Sequence, residues 1–396
     1  MKTSKDISLD APMAIFAALA LSAIGAIFYN ILPMYVGAAQ DFRGWSMSDA
    51  GLMGAFFFVG YTAVTISAFF WARKINWRLV CLVSAPIAAV ALIATGYLDS
   101  YVLNALLIIL AGGASSAIYV IGTVAVGDTS NPPRWMGAKI GAETALGGVF
   151  LILSPSFIVG PFGFKGIVFA LAAITLACIL FLPLFPSRGS KGAEDEMGKL
   201  LQISKAESAS LWCLLAAVVI FFTGQSAIWS FLERMGNTSG FDPQTVGTIL
   251  ALSLGAAMLG AFSEAAIGDR FGFRKLVMFS LLLYVIGMGI LYLTTSVGAY
   301  AAGTLIVTYS VGFGVPALMA AVAFLDRGGR YIILAVPALG LGAIFGPAIA
   351  GFILESVGSG GLMIMTVVTA ILTYVLFRQG MISGRKEMAS NTALNS

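Results

Sequence analysis

Two ionisable residues in a long apolar segment of this chain have the types and spacing needed for proton chemistry. Lys139 and Glu143 are four residues apart, so a helix would place both side chains on one face. A carboxylate in an apolar environment is a functional candidate by default and can serve as a proton site. The alternative is an intrahelical ion pair that only stabilises structure. We therefore treat Glu143 as a candidate proton or cation site, with Lys139 as its partner.

Glu264 is a third candidate, because it lies just before a polar turn that separates two apolar runs. The stretch Ser263–Lys275 reads SEAAIGDRFGFRK. Glu264 is five residues before Asp269, which corresponds to about 7.5 Å along a helix. It is a candidate for ion coupling, and the alternative is a hydrated residue at the membrane interface.

The residues that are missing exclude several kinds of site. The chain has no histidine, which removes histidine-based metal sites, Ser-His nucleophiles and histidine proton relays. No GxxxxGK[ST] phosphate loop occurs in the sequence, which argues against direct use of ATP. Cys81, Cys178 and Cys213 fall within apolar segments and are typical of packing thiols. We expect no enzyme activity, no metal and no cofactor.

The overall composition indicates a protein that is embedded in a lipid bilayer. Hydrophobic residues make up 59% of the 396 residues and charged residues 10%, and the mean hydropathy is +0.96. A soluble chain carries roughly a quarter charged residues. The net charge of +4 comes from basic residues in short turns, so it does not indicate a nucleic-acid partner.

Apolar segments of about 20 residues, the length that spans a bilayer, occur twelve times. They are predicted at 12–37, 48–71, 78–97, 102–126, 137–160, 165–185, 210–232, 244–267, 275–295, 299–324, 331–354 and 360–378. The polar segment 186–208 is the longest break and divides the spans six and six. The sequence therefore predicts an all-α membrane protein with bundles at 1–186 and 210–396 and a cytoplasmic linker at 187–209.

The distribution of Lys and Arg predicts the orientation. With a cytoplasmic N-terminus, nineteen of the 22 basic residues fall in inside segments, and only Arg43, Lys165 and Arg234 fall outside. This asymmetry follows the positive-inside rule. We expect a multi-pass protein of the cytoplasmic membrane with both termini in the cytoplasm.

The two halves also show weak internal similarity. Glycines in Gly25–Gly37 of the first predicted span are spaced as in Gly224–Gly236 of the seventh. The turn Trp71–Arg78 occupies the same place in the first half as Gly268–Lys275 does in the second. Parallel six-helix repeats are one known plan of transporters.

With these features the chain resembles the major facilitator superfamily. The family signature in the loops after spans 2 and 8 is Gly-x-x-x-Asp-Arg-x-Gly-Arg-Arg/Lys. The first copy here has Ala72 at the Asp position, and the second has Ala265 at the leading Gly. Span 4 has no basic residue in Leu106–Ala117, unlike many drug/proton antiporters, which argues against antiport by that route. The second copy retains Asp269, Arg270, Gly272, Arg274 and Lys275.

The resemblance implies two pseudo-symmetric six-helix bundles that work by alternating access, with the second turn as a cytoplasmic gate. In the family, the equivalent of Asp269 lies against the start of a helix in the other half, where the partial positive charge favours an anion. That helix is span 5, expected to begin near Met136–Ala138. In the family, spans 5 and 8 also pack together at the cytoplasmic end, which implies that Lys139 could pair with either Glu143 or Glu264. The alternative is a solvated turn that only fixes topology. Because Ala72 replaces the first Asp, we expect a one-sided latch.

Polar and aromatic residues within spans 1, 4, 7 and 10 are candidates for the wall of a central cavity. Buried amides and phenols fix the orientation of a ligand, although any single one is more often a helix–helix hydrogen bond. No Lys or Arg lies deep in these spans, which disfavours a multiply anionic substrate. The candidates are Tyr29, Asn30, Tyr119, Thr123, Gln225, Trp229, Tyr309 and Ser310.

We therefore expect a monomeric secondary active transporter that moves a small organic solute across the cytoplasmic membrane with proton coupling. A neutral, amphipathic or cationic solute is favoured. The expected partners are this substrate, a proton or cation, and the lipid bilayer. Two alternatives on the same fold are a transport-incompetent membrane receptor and a flippase for lipids or other amphiphiles. A membrane-embedded enzyme is disfavoured, because it would need a convergent set of catalytic groups.

Overall fold

The computed structural model describes residues 7–189, 205–293, 295–326 and 334–394, and no β-strand occurs within these ranges. The side chains of 133, 205–208, 269 and 386–394 lie outside the description. The described ranges contain twelve long helices: α1 (Pro12–Arg43), α2 (Met47–Trp71), α3 (Trp77–Thr95), α4 (Tyr101–Gly127), α5 (Pro132–Leu153), α6 (Gly160–Phe181), α7 (Lys205–Thr238), α8 (Pro243–Phe271), α9 (Phe273–Tyr292), α10 (Val297–Leu325), α11 (Ala335–Ser356) and α12 (Ser359–Leu394).

The predicted all-α membrane class is confirmed. Eleven continuous segments of the described chain are long and apolar enough to cross a membrane, and one of them, Arg134–Leu184, has 51 residues. A single helix of that length would measure about 76 Å, against about 30 Å for the hydrocarbon core of a bilayer. The segment Arg134–Leu184 is interrupted by a π-helical turn at Ser154–Val159. A second interruption lies at Gly163, whose φ of 58° and ψ of −145° favour glycine. α5 and α6 therefore form two spans.

The predicted start of the fifth span was wrong. α5 begins at Pro132, four residues before Met136. The side chain of Asn131 accepts a hydrogen bond from the backbone N–H of Arg134 and caps the helix, and proline suits the first helical position. Capping residues are polar, so the helix begins well before its apolar stretch does. Glu143 consequently lies eleven residues into the helix, or about 16 Å from its start.

The chain divides into two compact units. Unit 1 comprises Met1–Trp45 and Leu52–Glu194, and unit 2 comprises Ser46–Gly51 and Asp195–Ser396. The first turn of α2 is thus grouped with unit 2. The bounds predicted for the two bundles and the linker stay a prediction, and most of the linker lies outside the described residues.

In unit 1, α1 is the central helix and contacts α4, α5 and α6. Glycines allow close approach at two of these contacts. A Cβ on Gly25 would lie 2.6 Å from the backbone N of Tyr119, and a Cβ on Gly147 would lie 2.5 Å from Cβ of Asn30. Small residues of this kind let membrane helices pack backbone to backbone. They bring the polar side chains of α1, α4 and α5 together.

In unit 2, α7 has the corresponding role and packs against α11 and α12, while α10 packs against α8 and α9. Hydrogen bonds from serine side chains support these contacts. Ser226 Oγ donates to the carbonyl of Gly342 over 2.7 Å, and Ser280 Oγ donates to the carbonyl of Ser310 over 2.7 Å. Such bonds satisfy polar groups that have no access to water within a bilayer.

Candidate functional site

An ion pair lies within the helices of unit 1. Lys139 Nζ is 2.7 Å from Glu143 Oε1, and the two side chains are only 6% and 15% exposed. Both belong to α5, one turn apart, so they share the face that packs against α1 and α4. Because the pair is withdrawn from water, removing either charge would leave the other without compensation, which is far costlier than at a surface.

Further polar partners reach this ion pair from α1 and α4. Ser22 Oγ donates a hydrogen bond of 2.6 Å to Glu143 Oε1. On the other side, Lys139 Nζ donates one of 2.9 Å to the hydroxyl of Tyr119, and the ammonium also lies 4.3 Å from the centroid of that ring. A cation over an aromatic face is stabilised by the ring quadrupole. Lys139 is therefore shared between a carboxylate and a phenol.

Asn30 and Tyr61 complete a set of six residues that we call the α5 cluster. Its members are Ser22, Asn30, Tyr61, Tyr119, Lys139 and Glu143. Asn30 Nδ2 on α1 donates 2.9 Å to the backbone carbonyl of Glu143, next to the close approach at Gly147. The ring of Tyr61 on α2 lies 5.6 Å from that of Tyr119. Four helices thus supply one connected polar cluster in an otherwise apolar bundle.

Sequence reasoning missed two members of the α5 cluster. Ser22 carried a usable signal, since it is eight residues before Asn30 and falls on the same face of α1. Tyr61 carried none, because a tyrosine in an apolar run is an ordinary packing residue. The hydrogen bond from Ser22 to Glu143 joins residues 121 positions apart, and no local pattern indicates such a pairing.

The other cavity candidates of unit 1, Tyr29 and Thr123, lie on α1 and α4. The ring of Tyr29 lies edge-on to Phe58, with centroids 5.8 Å apart. Thr123 Oγ1 is buried and has no hydrogen-bond partner among the described residues. An unpaired hydroxyl at such a place is open to a water molecule or a solute.

The candidates of unit 2 lie on α7 and α10. Gln225 and Trp229 are four residues apart on α7 and are 5% and 2% exposed. Tyr309 stacks on Phe313 with centroids 6.3 Å apart. Ser310 is fully buried, and its hydroxyl donates to the carbonyl of Val307. Its carbonyl accepts the hydrogen bond from Ser280 of α9, so Ser310 is part of the packing between α9 and α10.

The turn between α8 and α9 contains the retained signature. Gly272 has a φ of 73° and ends α8, a conformation that L side chains rarely adopt. Arg274 Nε donates 3.2 Å to the hydroxyl of Tyr374 on α12. Arg270 and Lys275 are exposed. The side chain of Asp269 lies outside the described residues, so its contact with the start of α5 stays a prediction.

The turn between α2 and α3 shows what replaces the missing Asp. Ala72 is buried, and its carbonyl accepts a 2.6 Å hydrogen bond from Nε1 of the fully buried Trp77. Arg73 pairs with Asp128 at the end of α4 over 2.8 Å, and the carboxylate side chain has no exposed surface. Sequence reasoning missed Asp128, which lies at the end of an apolar run.

Glu264 lies on α8 in unit 2 and is buried. Its Oε1 would be 3.1 Å from a Cβ on Gly268, so the carboxylate lies along its own helix. The predicted exchange of Lys139 between Glu143 and Glu264 involves both units and stays a prediction. Across the residues that the structure describes, no group of three or more His, Cys, Asp or Glu side chains could hold a metal ion.

Comparison with known families identifies the class of protein. The sequence matches the model of the Major Facilitator Superfamily over residues 14–315 and again over 214–387. The chain therefore belongs to the Major Facilitator Superfamily, and it is a multi-pass membrane protein with the transporter fold of that family. A search of curated proteins by sequence found no significant match.

Solved structures show the same fold at low sequence identity. The nucleoside transporter NupG is 13% identical with a TM-score of 0.71, covering 93% of this chain and 98% of its own. A D-xylose–proton symporter is 13% identical with a TM-score of 0.70, covering 91% and 96%. A bacterial homologue of the human lysosomal transporter Spinster, in an inward-facing and unoccupied conformation, is 15% identical with a TM-score of 0.67, covering 97% and 98%.

Proposed function

We propose that this protein is a proton-coupled secondary transporter that moves a small neutral, amphipathic or cationic organic solute across the cytoplasmic membrane by alternating access. Both termini lie in the cytoplasm in this proposal, and Glu143 is the proton site. The turn between α8 and α9 acts as the cytoplasmic gate. The protein acts as a monomer and has no enzymatic activity.

The observation that carries the proposal is the α5 cluster. Glu143 is a carboxylate inside a membrane bundle. The Lys139 ammonium balances its negative charge, and the Ser22 hydroxyl donates a hydrogen bond to it. Ionisable residues at such positions are expensive and mark ion or proton pathways. A purely structural pair would not need the additional phenol that Tyr119 offers to Lys139. That second acceptor gives the lysine a partner when Glu143 is neutral.

Protonation of Glu143 would change the forces between three helices. The neutral carboxyl no longer attracts Lys139, and the ammonium then depends on the hydroxyl and ring of Tyr119 on α4. The contact with Ser22 on α1 weakens too, because a hydrogen bond to a charged acceptor is about twice as strong as a neutral one. Binding of a proton would therefore weaken the contact of α5 with α1 and leave Lys139 to its contact with α4. Such a change can shift the equilibrium between two conformations of the helix bundle.

The proposed substrate class is supported by the candidate residues Asn30, Thr123, Gln225 and Trp229, which are polar or amphipathic and carry no formal charge. Two proteins of similar fold are named for neutral sugar-containing solutes, a nucleoside and D-xylose. We use nucleosides and pentoses as the first compounds of a screen in which bound ligand raises the melting temperature of the purified protein. At a concentration of 100 Kd a ligand adds about 2.7 kcal/mol to the free energy of unfolding.

The test of function uses the full-length protein in proteoliposomes with a solute that the screen identifies. An imposed proton gradient should drive accumulation of the solute above its external concentration, and an uncoupler should collapse that accumulation. Liposomes without protein are the control. Binding without flux would contradict transport and favour the receptor alternative, and flux that stops at equilibrium would contradict proton coupling.

A further inference from the structure

A further feature of unit 2 lies where α9 begins and the last part of α12 passes it. The structure has a cavity of about 250 Å³ there. One lining residue comes from α9 and five from α12, and three of the six are arginines. The lining residues are Arg274, Phe377, Arg378, Met381, Ile382 and Arg385.

Helical spacing explains why α12 forms one wall of this cavity. α12 continues to Leu394, beyond the predicted end of the last span at residue 378. Arg378, Ile382 and Arg385 follow at intervals of four and three, so they lie on one face over two turns. Phe377 and Met381 are 2% and 7% exposed and form an apolar floor. On the opposite wall, the bond from Arg274 Nε to Tyr374 fixes the guanidinium.

Three exposed arginines line this cavity, and none of the six lining residues that the structure describes is acidic. Positively charged side chains therefore border the cavity. Arginine presents a planar set of donors that matches phosphate oxygens in a bidentate manner. The cavity is thus suited to a phosphate group.

The surroundings indicate that the phosphate belongs to a lipid. Met278 lies one turn after Arg274 on α9 and is 46% exposed. On α12, Val375 lies one turn before Arg378 and is 51% exposed, and Ile371 lies one turn further and is 57% exposed. Both helices therefore present apolar, bilayer-facing side chains directly next to the arginines. A basic pocket between membrane helices at the bilayer surface is a known type of site for lipid headgroups.

We propose that this cavity binds the headgroup of an anionic phospholipid, whose acyl chains lie along the exposed faces of α9 and α12. The site needs only the membrane-embedded fold and does not depend on the transported solute or on Glu143. An occupied site would tie α12 to α9 and stabilise unit 2.

The test measures lipid retention and melting temperature for the full-length protein in a neutral detergent. Mixed micelles containing dioleoylphosphatidylglycerol are compared with dioleoylphosphatidylcholine and with inorganic phosphate. The variant carries Arg378→Gln together with Arg385→Gln, and Arg134→Gln is the control, an exposed arginine of unit 1 that does not line the cavity. A second variant, Arg378→Lys, keeps the charge but loses bidentate geometry.

For the wild-type protein and the control, we expect one retained phosphatidylglycerol by native mass spectrometry and a higher melting temperature with that lipid than with phosphatidylcholine. The double variant should bind phosphatidylglycerol about tenfold more weakly, and Arg378→Lys should lie between. Equal retention by the wild type and the double variant would overturn the site. Equal stabilisation by inorganic phosphate would overturn the lipid as its occupant. If the double variant does not fold, unchanged retention in Arg378→Lys still contradicts the proposal.

Discussion

Glu143 is distinguished from the other carboxylates by the variety of groups around it. One oxygen receives both the Lys139 ammonium and the Ser22 hydroxyl, while the backbone carbonyl of the same residue is held by Asn30. Asp128, also buried, instead accepts hydrogen bonds on both carboxylate oxygens from one nitrogen of Arg73, Nη1. At Glu143 the lysine is shared between two acceptors, the carboxylate and the hydroxyl of Tyr119, so it keeps one partner when the other is lost.

The serine contact leads to a prediction at the residue scale. Ser22→Ala removes the hydrogen bond that joins α1 to the carboxylate of Glu143. A hydrogen bond to a charged group contributes about 1.5–3 kcal/mol, so the contact between α1 and the proposed proton site should weaken by a similar amount. Proton-driven accumulation of the solute should therefore fall below that of the wild type, as measured by initial rates of uptake in proteoliposomes.

The matched control for this change is Ser116→Ala. Ser116 is a buried serine of the same unit, and its hydroxyl pairs with Thr65 over 2.8 Å and not with the α5 cluster. Its variant should keep the wild-type rate of proton-driven uptake. A rate that is equally unchanged in Ser22→Ala would show that the hydroxyl does not influence the proposed proton site.

At the scale of helices, the position of the cluster depends on close contact between α1 and α5. Gly147 faces Asn30 so closely that a Cβ there would lie 2.5 Å away, whereas a Cβ on Gly141 of the same helix would meet nothing within 4 Å. Gly147→Ala should separate the helices and cost about 1–3 kcal/mol of stability. Gly141→Ala should be neutral or stabilising by up to about 1 kcal/mol, because alanine is the better helix former.

Gly147→Ala and Gly141→Ala make the same chemical change in the same helix. The difference between their stabilities therefore reports the effect of helix packing alone. The measurement is reversible unfolding in detergent or, where unfolding is irreversible, the melting temperature under one fixed protocol. Equal melting temperatures for the two variants would contradict the close approach of α1 to α5.

Particular residues show why prediction from the sequence succeeded in part. The pairing of Lys139 with Glu143 followed from four-residue spacing, since a helix fixes that geometry locally. The start of α5 was misplaced because hydrophobicity marks the membrane span, while the helix begins at the polar cap Asn131. The partners of Ser22, Asp128 and Tyr61 were missed because these contacts join distant parts of the chain. Such contacts are set by the packing of whole helices, and no local sequence pattern indicates which residues will meet.

At the scale of the molecule, the fold and the charge distribution suit a transporter whose moving parts are rigid bundles. In unit 1, glycines make the contacts of α1 with α4 and α5 tight. Also in unit 1, the fully buried Trp77 donates a hydrogen bond to the carbonyl of Ala72 in the first signature turn. In unit 2, Gly272 makes an open turn at the retained signature, with no described atom within 4 Å of its Cβ position. The two signature turns have thus diverged from each other, which agrees with the proposed one-sided gate.

The central claim, that Glu143 carries the coupling proton, is tested most directly by Glu143→Gln in proteoliposomes. Glutamine mimics a permanently protonated carboxyl, so exchange of labelled for unlabelled solute across the membrane should continue. Accumulation driven by a proton gradient should fall to simple equilibration, and the rate of exchange should lose its pH dependence. Asp99→Asn is the control, because the Asp99 carboxylate is fully exposed at the start of α4. This variant should accumulate solute as the wild type does. Proton-driven accumulation at the wild-type level in Glu143→Gln would contradict the account.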